Sequence, residues 1–148
     1  MNLYLDNCCF NRPFDDQSSL TVRLETEAKL SIQERIKSKE FKLAWSYILD
    51  FENNANPFIE KRSEIQRWKN LAESFTNETQ EILITMKKLT TIGLKPVDAL
   101  HISCATFLQC DVFITVDKGI IKKANKISQL KIMSPIDFMI EWEANNEN

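Results

Sequence analysis

The apolar run between residues 111 and 117 is the feature that most constrains the fold of this chain. Its apolar side chains follow one another almost without a break and the run ends at Asp117; they are Val112, Phe113, Ile114 and Val116. A strand that is apolar on both faces has to be covered on both sides, as the strands of parallel sheets are. The run therefore predicts a buried strand of a parallel sheet.

Shorter strand-like and helix-like segments alternate along the rest of the 148-residue chain. Strands are predicted at 3–5, 41–46 and 130–133. Helices are predicted at 18–39, 47–54, 57–72, 77–88, 97–108 and from 134 onwards, and Asn77 with Gln80 resembles a capping box. Strands separated by helices predict one three-layer α/β/α domain with a mainly parallel central sheet of four to five strands. The domain is expected to span residues 1–142, with a polar tail at 143–148.

The composition excludes several classes of protein. With 43% hydrophobic and 27% charged residues, the chain has an ordinary soluble globular composition, and no apolar run approaches a membrane span. The start of the chain does not resemble a secretory signal, so a cytoplasmic protein is expected. The four cysteines include no C-x-x-C pair and are expected to be reduced and packed as small hydrophobes.

Two further numbers limit how the chain can bind nucleic acid. Only two glycines are present, which argues against a glycine-rich phosphate-binding loop. The formal net charge is −2, so the chain has no global basic field. Any binding of nucleic acid must therefore depend on a local basic patch or on a bound metal ion.

Aspartates end two of the predicted strands. Asp6 follows the strand at 3–5, and Asp117 follows the long apolar run. In open parallel sheets, sites form beyond the carboxyl ends of the strands, so these two carboxylates are expected side by side. A bound cation or a shared proton relieves their repulsion, and Mg²⁺ and Mn²⁺ prefer oxygen ligands. The alternative, in which each aspartate only caps the following helix, stays open.

A third carboxylate lies at the start of the helix predicted at 97–108. Asp98 comes two residues after Pro96 in an otherwise apolar segment, so it is expected at the rim of a buried helix. The positive end of the helix tolerates a carboxylate at that position. The single histidine, His101, is one turn further on and is predicted to be a core or supporting residue rather than a metal ligand.

Three stretches of sequence carry a family resemblance. They are Tyr-Leu-Asp-Asn-Cys-Cys-Phe-Asn-Arg-Pro-Phe-Asp-Asp-Gln from Tyr4, Pro-Val-Asp-Ala-Leu-His-Ile from Pro96, and Asp-Val-Phe-Ile-Thr-Val-Asp-Lys from Asp111. In this order and spacing they resemble the PIN-domain nuclease family, particularly its VapC-type bacterial toxins. The first stretch is similar to a PIN subgroup with an Asn-Arg-Pro-Phe-Asp-Asp-Gln signature. The resemblance spans nearly the whole chain and implies a PIN-like α/β/α fold.

The resemblance implies an endoribonuclease that depends on Mg²⁺ or Mn²⁺. The acidic positions of the family correspond to Asp6, Glu52, Asp98 and Asp117, of which the three aspartates are expected to hold the metal. Glu52 rests on the resemblance alone, and Asp50, two residues before it, stays open as the alternative. The implied chemistry is hydrolysis of a phosphodiester by a water molecule that the metal activates.

The resemblance also implies partners. These are an RNA substrate, a small antitoxin that blocks the acidic site, and frequently a second copy in a homodimer. Contacts to RNA are expected from Thr115, Lys118 and Arg12.

Two other kinds of protein are alternatives to the nuclease. The first is a catalytically inactive PIN scaffold that binds RNA or a protein partner; the four filled acidic positions favour activity instead. The second is a phosphatase of the haloacid-dehalogenase type, which needs a second aspartate where Cys8 stands.

Overall fold

The computed structural model describes residues 1–146, which form five strands and eight α-helices. The strands are β1 (Asn2–Leu5), β2 (Lys42–Ser46), β3 (Ser74–Thr76), β4 (Val112–Ile114) and β5 (Lys131–Met133). The helices are α1 (Asn7–Asn11), α2 (Leu20–Lys37), α3 (Tyr47–Asn54), α4 (Ile59–Lys69), α5 (Gln80–Thr90), α6 (Pro96–Phe107), α7 (Lys118–Ile121) and α8 (Pro135–Asn146).

The strands form one parallel sheet in the order β3-β2-β1-β4-β5, with helices on its faces. Strand β1 is central: Leu3 pairs with Leu43 of β2 and with Val112 of β4. The predicted α/β architecture with a parallel sheet is confirmed, and the number of strands is the upper value of the prediction. Because all strands run the same way, the residues that follow β1, β2 and β4 meet at one edge of the sheet.

The core is built on the central strands. Leu3, Tyr4 and Leu5 have no exposed surface, and Tyr4 stacks on Phe113 with ring centroids 5.4 Å apart. Helix α2 packs against α8, and α5 packs against α6. All three residues of β4 are buried, so both faces of this strand are covered, as its apolar run predicts.

Several boundaries differ from the prediction. Strand β3 was missed, because it has three residues and Phe75 at its centre is exposed, so the segment shows no apolar pattern. Helix α4 ends at Lys69, three residues before the predicted end. The N-cap of α5 is Thr79, whose hydroxyl accepts a hydrogen bond from the amide of Ile82 at 3.1 Å. The predicted capping box of Asn77 with Gln80 was therefore wrong.

Two short helices and the end of the chain also differ. Helices α1 and α7 start directly after Asp6 and Asp117, and their bounds were not predicted, because each helix has no more than five residues. Helix α8 continues to Asn146, so residues 143–146 of the predicted tail are helical. Residues 147 and 148 lie outside the described part of the chain.

A buried lysine on α2 carries an unfavourable charge. Lys29 is 4% exposed, and its ammonium lies 5.6 Å from the ring of Phe10 and 5.9 Å from that of Trp68. It forms no ion pair with any carboxylate in residues 1–146. Burial away from water lowers the pKa of Lys29 from 10.5 to about 8, because the charged form loses its hydration.

Replacing this lysine by methionine is expected to stabilise the protein. The pKa of Lys29 is lower in the folded chain than in the unfolded one, so its charge opposes folding below about pH 8, and the opposition fades as the pH rises to 10.5. We expect Lys29→Met to raise the free energy of unfolding at pH 7 by about 1–3 kcal/mol. The gain should shrink between pH 8 and pH 10 in urea unfolding experiments.

Lys37→Met is the matched control, because Lys37 lies on the same helix, 5.4 Å from the ring of Trp68, but is exposed. It should change the stability by less than about 0.5 kcal/mol. A gain in the free energy of unfolding of Lys29→Met that is the same at every pH would contradict the explanation that the buried charge of Lys29 is what destabilises the protein.

Candidate metal centre

Asp6 is the buried centre of the acidic edge, the name used here for the carboxyl edge of the sheet at which Asp6, Glu52, Asp98 and Asp117 are expected. It is 6% exposed, and its amide donates a hydrogen bond to the carbonyl of Ile114 at 2.9 Å, which continues the pairing of β1 with β4. Its Oδ1 accepts from the amide of Asn7 at 2.8 Å. Its Oδ2 accepts from the hydroxyl of Thr115 at 2.7 Å and from the thiol of Cys8 at 3.3 Å. These donors hold the carboxylate in one orientation.

Glu52 reaches the same edge from α3. This helix starts immediately after β2, where the hydroxyl of Ser46 caps it by accepting from the amide of Leu49 at 3.3 Å. The Glu52 carboxylate contacts Nε2 of His101. Asp50 faces elsewhere: it accepts from the indole of Trp45 and from the ammonium of Lys69, both at 2.8 Å. The structure therefore places Glu52 at the acidic edge and Asp50 away from it.

His101 connects the acidic edge to the core. Its side chain is 1% exposed and lies on α6. Nδ1 is hydrogen-bonded to the hydroxyl of Tyr4 at 2.6 Å, and that hydroxyl is bonded to Ser46 Oγ at 2.6 Å. Nε2 contacts Glu52 and lies 3.9 Å from Asp6 Oδ1. The expected burial of His101 is observed, but the links to Tyr4 and Ser46 were not predicted, and no local sequence pattern indicates them.

These side chains form a group able to hold a cation. One ligand atom each from Asp6, Glu52 and His101 lies within 4.8 Å of the others, which marks this group as a possible metal site among residues 1–146. The donor set of two carboxylates and one imidazole suits a divalent cation. Asp6 follows β1, Glu52 lies on α3 and the imidazole comes from α6, so the site depends on how these elements pack together.

Asp98 lies near this group in the first turn of α6. It is half-buried, and its pKa is raised, first because burial disfavours the charged form and then because Asp6 and Asp117 are close enough to repel it. His101 and Lys95 act in the opposite direction and lower the pKa. The three predicted aspartates therefore share one electrostatic environment.

Asp117 caps the helix that follows it, which is the alternative role that its sequence position allowed. Its Oδ1 accepts from the amides of Gly119 at 2.8 Å and Ile120 at 3.2 Å, so it caps α7. Asp6 caps α1 in the same way through Asn7. Capping and membership of an acidic edge are therefore compatible, because each cap uses Oδ1 and Asp6 still presents Oδ2 to Thr115.

The residues expected to contact RNA differ in their surroundings. Thr115 has no exposed surface, and besides donating to Asp6 its hydroxyl accepts from the amide of Asp117 at 3.0 Å. Thr115 orients the carboxylate of Asp6, and its burial does not favour a direct contact with substrate. The guanidinium of Arg12 pairs with Asp15 at 3.0 Å and Glu25 at 3.3 Å, whereas Lys118 is exposed beside Asp117.

Comparison with known proteins identifies the fold. No protein-family model and no curated protein matches this chain. A solved structure does: VapBC2 from Rickettsia felis bound to a DNA fragment from their promoter. The TM-score is 0.58 at 14% identity, covering 89% of this chain and 97% of that one. At this identity the likeness shows the fold alone, and it supports the PIN-like fold that the sequence resemblance predicted.

One property of the described residues bears on the setting of the site. Within residues 1–146, no helix is both long and apolar enough to cross a membrane.

Asp98 should destabilise the folded protein when it is ionised. The pKa of Asp98 is higher in the folded than in the unfolded protein. Asp98 therefore does not lower the free energy of unfolding below the unfolded pKa of about 3.9, and it lowers that free energy increasingly as the pH rises through the folded pKa. We expect Asp98→Asn to raise the melting temperature at pH 7, on the order of 1–3 °C. Below about pH 3.5 the two proteins should melt together.

Asp137→Asn is the matched control for this change, since Asp137 also lies in the first turn of a helix but is exposed. It should not raise the melting temperature at pH 7. A lower melting temperature for Asp98→Asn at neutral pH would contradict the inference that ionised Asp98 is repelled by the other carboxylates.

Proposed function

We propose that this protein is a metal-dependent endoribonuclease, with Asp6, Glu52, Asp98 and Asp117 as its acidic residues. The observation that carries the proposal is the convergence of Asp6 and Glu52 with the buried imidazole of His101 at the carboxyl edge of a parallel sheet. Carboxylates held this close together repel one another, and a cation is the usual relief. The pKa of Asp98, raised in part by Asp6 and Asp117, reflects the same repulsion.

The aspartates supply the oxygen ligands for Mg²⁺ or Mn²⁺. Asp6, Asp98 and Asp117 would hold the cation, and Glu52 lies beside them through its contact with His101. A divalent ion held by these residues would supply the charge that neutralises the scissile phosphate and would make a bound water more acidic, which is the chemistry that phosphodiester hydrolysis needs. The hydroxyl of Thr115 holds the carboxylate of Asp6 and also accepts a hydrogen bond from the backbone amide of Asp117, which positions the chain at that residue.

RNA would be attracted locally rather than by the charge of the whole protein. The net charge is −2, but Lys118 is exposed directly after Asp117, and Lys122 is exposed one turn further on. These exposed lysines follow the site residue Asp117 closely in the sequence, and ammonium groups suit contacts with the RNA backbone. Arg12 is engaged by Asp15 and Glu25, so its contact with RNA requires those ion pairs to open.

The biological role proposed is that of a toxin in a toxin–antitoxin pair, acting in the cytoplasm. It is supported by the VapC-type sequence resemblance and by the similarity of fold to VapBC2 from Rickettsia felis. In this role a small antitoxin protein blocks the acidic edge. A homodimer is part of the same proposal and rests on the resemblance.

Substitution of the central acids should abolish RNA cleavage. We expect Asp6→Asn and Glu52→Gln each to lower the rate of cleavage of a mixed RNA substrate by on the order of 10²-fold or more, measured with Mn²⁺ or Mg²⁺. The reason is that each change removes a negative charge from the carboxylates that surround the proposed cation. Expression of the wild type in bacteria should arrest growth, and expression of either variant should not.

Asp137→Asn and Glu60→Gln are the matched controls, because both carboxylates are exposed and lie in the first turns of other helices. Both should cleave RNA at the wild-type rate. Cleavage that survives in Asp6→Asn, or a wild type that binds RNA without cleaving it, would contradict the proposal; the second result would indicate a scaffold that binds RNA.

A further inference from the structure

The single histidine of the chain faces two carboxylates from inside the core. A buried imidazole needs a partner at each nitrogen, and His101 finds one for Nδ1 in the hydroxyl of Tyr4. Nε2 is directed to the acidic edge, in contact with Glu52 and 3.9 Å from Asp6 Oδ1. The nitrogen is therefore one of the converging donor atoms of the candidate metal centre.

The hydrogen-bond chain behind His101 can run in two directions. In one direction Ser46 donates to Tyr4, Tyr4 donates to Nδ1, and Nε2–H donates to Glu52. In the other, Nδ1–H donates to the Tyr4 oxygen, Tyr4 donates to Ser46, and the hydroxyl of Ser46 turns to the neighbouring thiol of Cys104. Both directions keep the imidazole neutral, and the second leaves a lone pair on Nε2.

We infer that Nε2 of His101 is a ligand of the metal ion, so that the centre is a mixed nitrogen and oxygen site that prefers Mn²⁺ over Mg²⁺. The inference rests on the proposed metal centre and adds to the carboxylates a ligand of different chemistry. Mg²⁺ takes oxygen ligands almost exclusively, whereas imidazole nitrogen is a good ligand for first-row transition ions.

The different exposure of the His101 and Glu52 side chains favours coordination by the imidazole. The side chain of His101 is 1% exposed and held by Tyr4, so its nitrogen stays in place. The side chain of Glu52 is 30% exposed and has room to turn when a cation enters. Tyr4 provides the hydrogen bond at the second nitrogen that ligating histidines generally have, which fixes the tautomer and the ring orientation.

A positioning role is the competing explanation. In it, Nε2–H only donates to Glu52 and orients its carboxylate, and the metal is held by oxygen atoms alone. The two roles differ in whether the nitrogen is bonded to the ion, and this difference has a spectroscopic signature.

The test is pulsed electron paramagnetic resonance on the full chain, without a histidine tag, loaded with Mn²⁺ alone. Because the chain contains one histidine, any imidazole nitrogen coupled to the ion belongs to His101. We expect a directly coordinated nitrogen signal that changes to the ¹⁵N pattern when histidine is labelled with ¹⁵N. Bound Mn²⁺ without nitrogen coupling would overturn the inference and leave the nuclease proposal intact.

His101→Gln provides a second readout, because the glutamine amide can still donate to Glu52 but offers no imidazole. Calorimetric titration should show Mn²⁺ affinity at least tenfold weaker and Mg²⁺ affinity changed by less than about threefold. Equal losses for both ions, or no loss for either, would contradict a nitrogen ligand. A wild-type protein that binds neither ion at millimolar concentration would overturn both the inference and the proposed nuclease.

Discussion

The parallel pairing of β1 with β4 is the interaction on which the site depends. It places the amide of Asp6 2.9 Å from the carbonyl of Ile114, so the chain leaves both strands at the same edge. The hydroxyl of Thr115 then reaches Asp6 Oδ2 at 2.7 Å and receives the amide of Asp117 at 3.0 Å. One buried threonine thus ties together the aspartates that follow the two central strands.

Buried negative charge is expensive, and the fold offsets the cost at Asp6 with several donors. An amide, a hydroxyl and a thiol donate to this carboxylate, and hydrogen bonds to an ionised group are stronger than those between neutral groups. The pKa of Asp98, by contrast, is raised by burial and by its acidic neighbours Asp6 and Asp117. The acidic edge therefore stores electrostatic repulsion that a divalent cation would relieve.

Much of this arrangement was predictable from local sequence. The position of Asp6 just after β1 and the helix start before Asp98 follow from a short apolar run and from Pro96, which need no knowledge of distant contacts. Asp117 was expected at the end of its strand, but β4 ends at Ile114, three residues before it. The choice between Glu52 and Asp50 was not predictable, because it depends on Lys69, which lies nineteen residues after Asp50. The bond between Tyr4 and His101 spans 97 positions and depends on how α6 packs against the sheet.

The short elements were missed for a related reason. Strand β3 has three residues and pairs with β2 through backbone hydrogen bonds, which side-chain patterns do not encode. Helices α1 and α7 are one turn long and are set by their capping aspartates, Asp6 and Asp117. Asp6 and Asp117, which predict the site, therefore also start the two short helices α1 and α7.

The central claim is that the acidic edge binds a divalent cation. The most direct measurement is the anomalous diffraction of crystals of this protein grown with Mn²⁺. The account predicts an anomalous peak among the side chains of Asp6, Glu52 and His101, and its loss in Asp6→Asn crystals. A Mn²⁺ peak elsewhere on the protein, with none at this edge under saturating Mn²⁺, would contradict it.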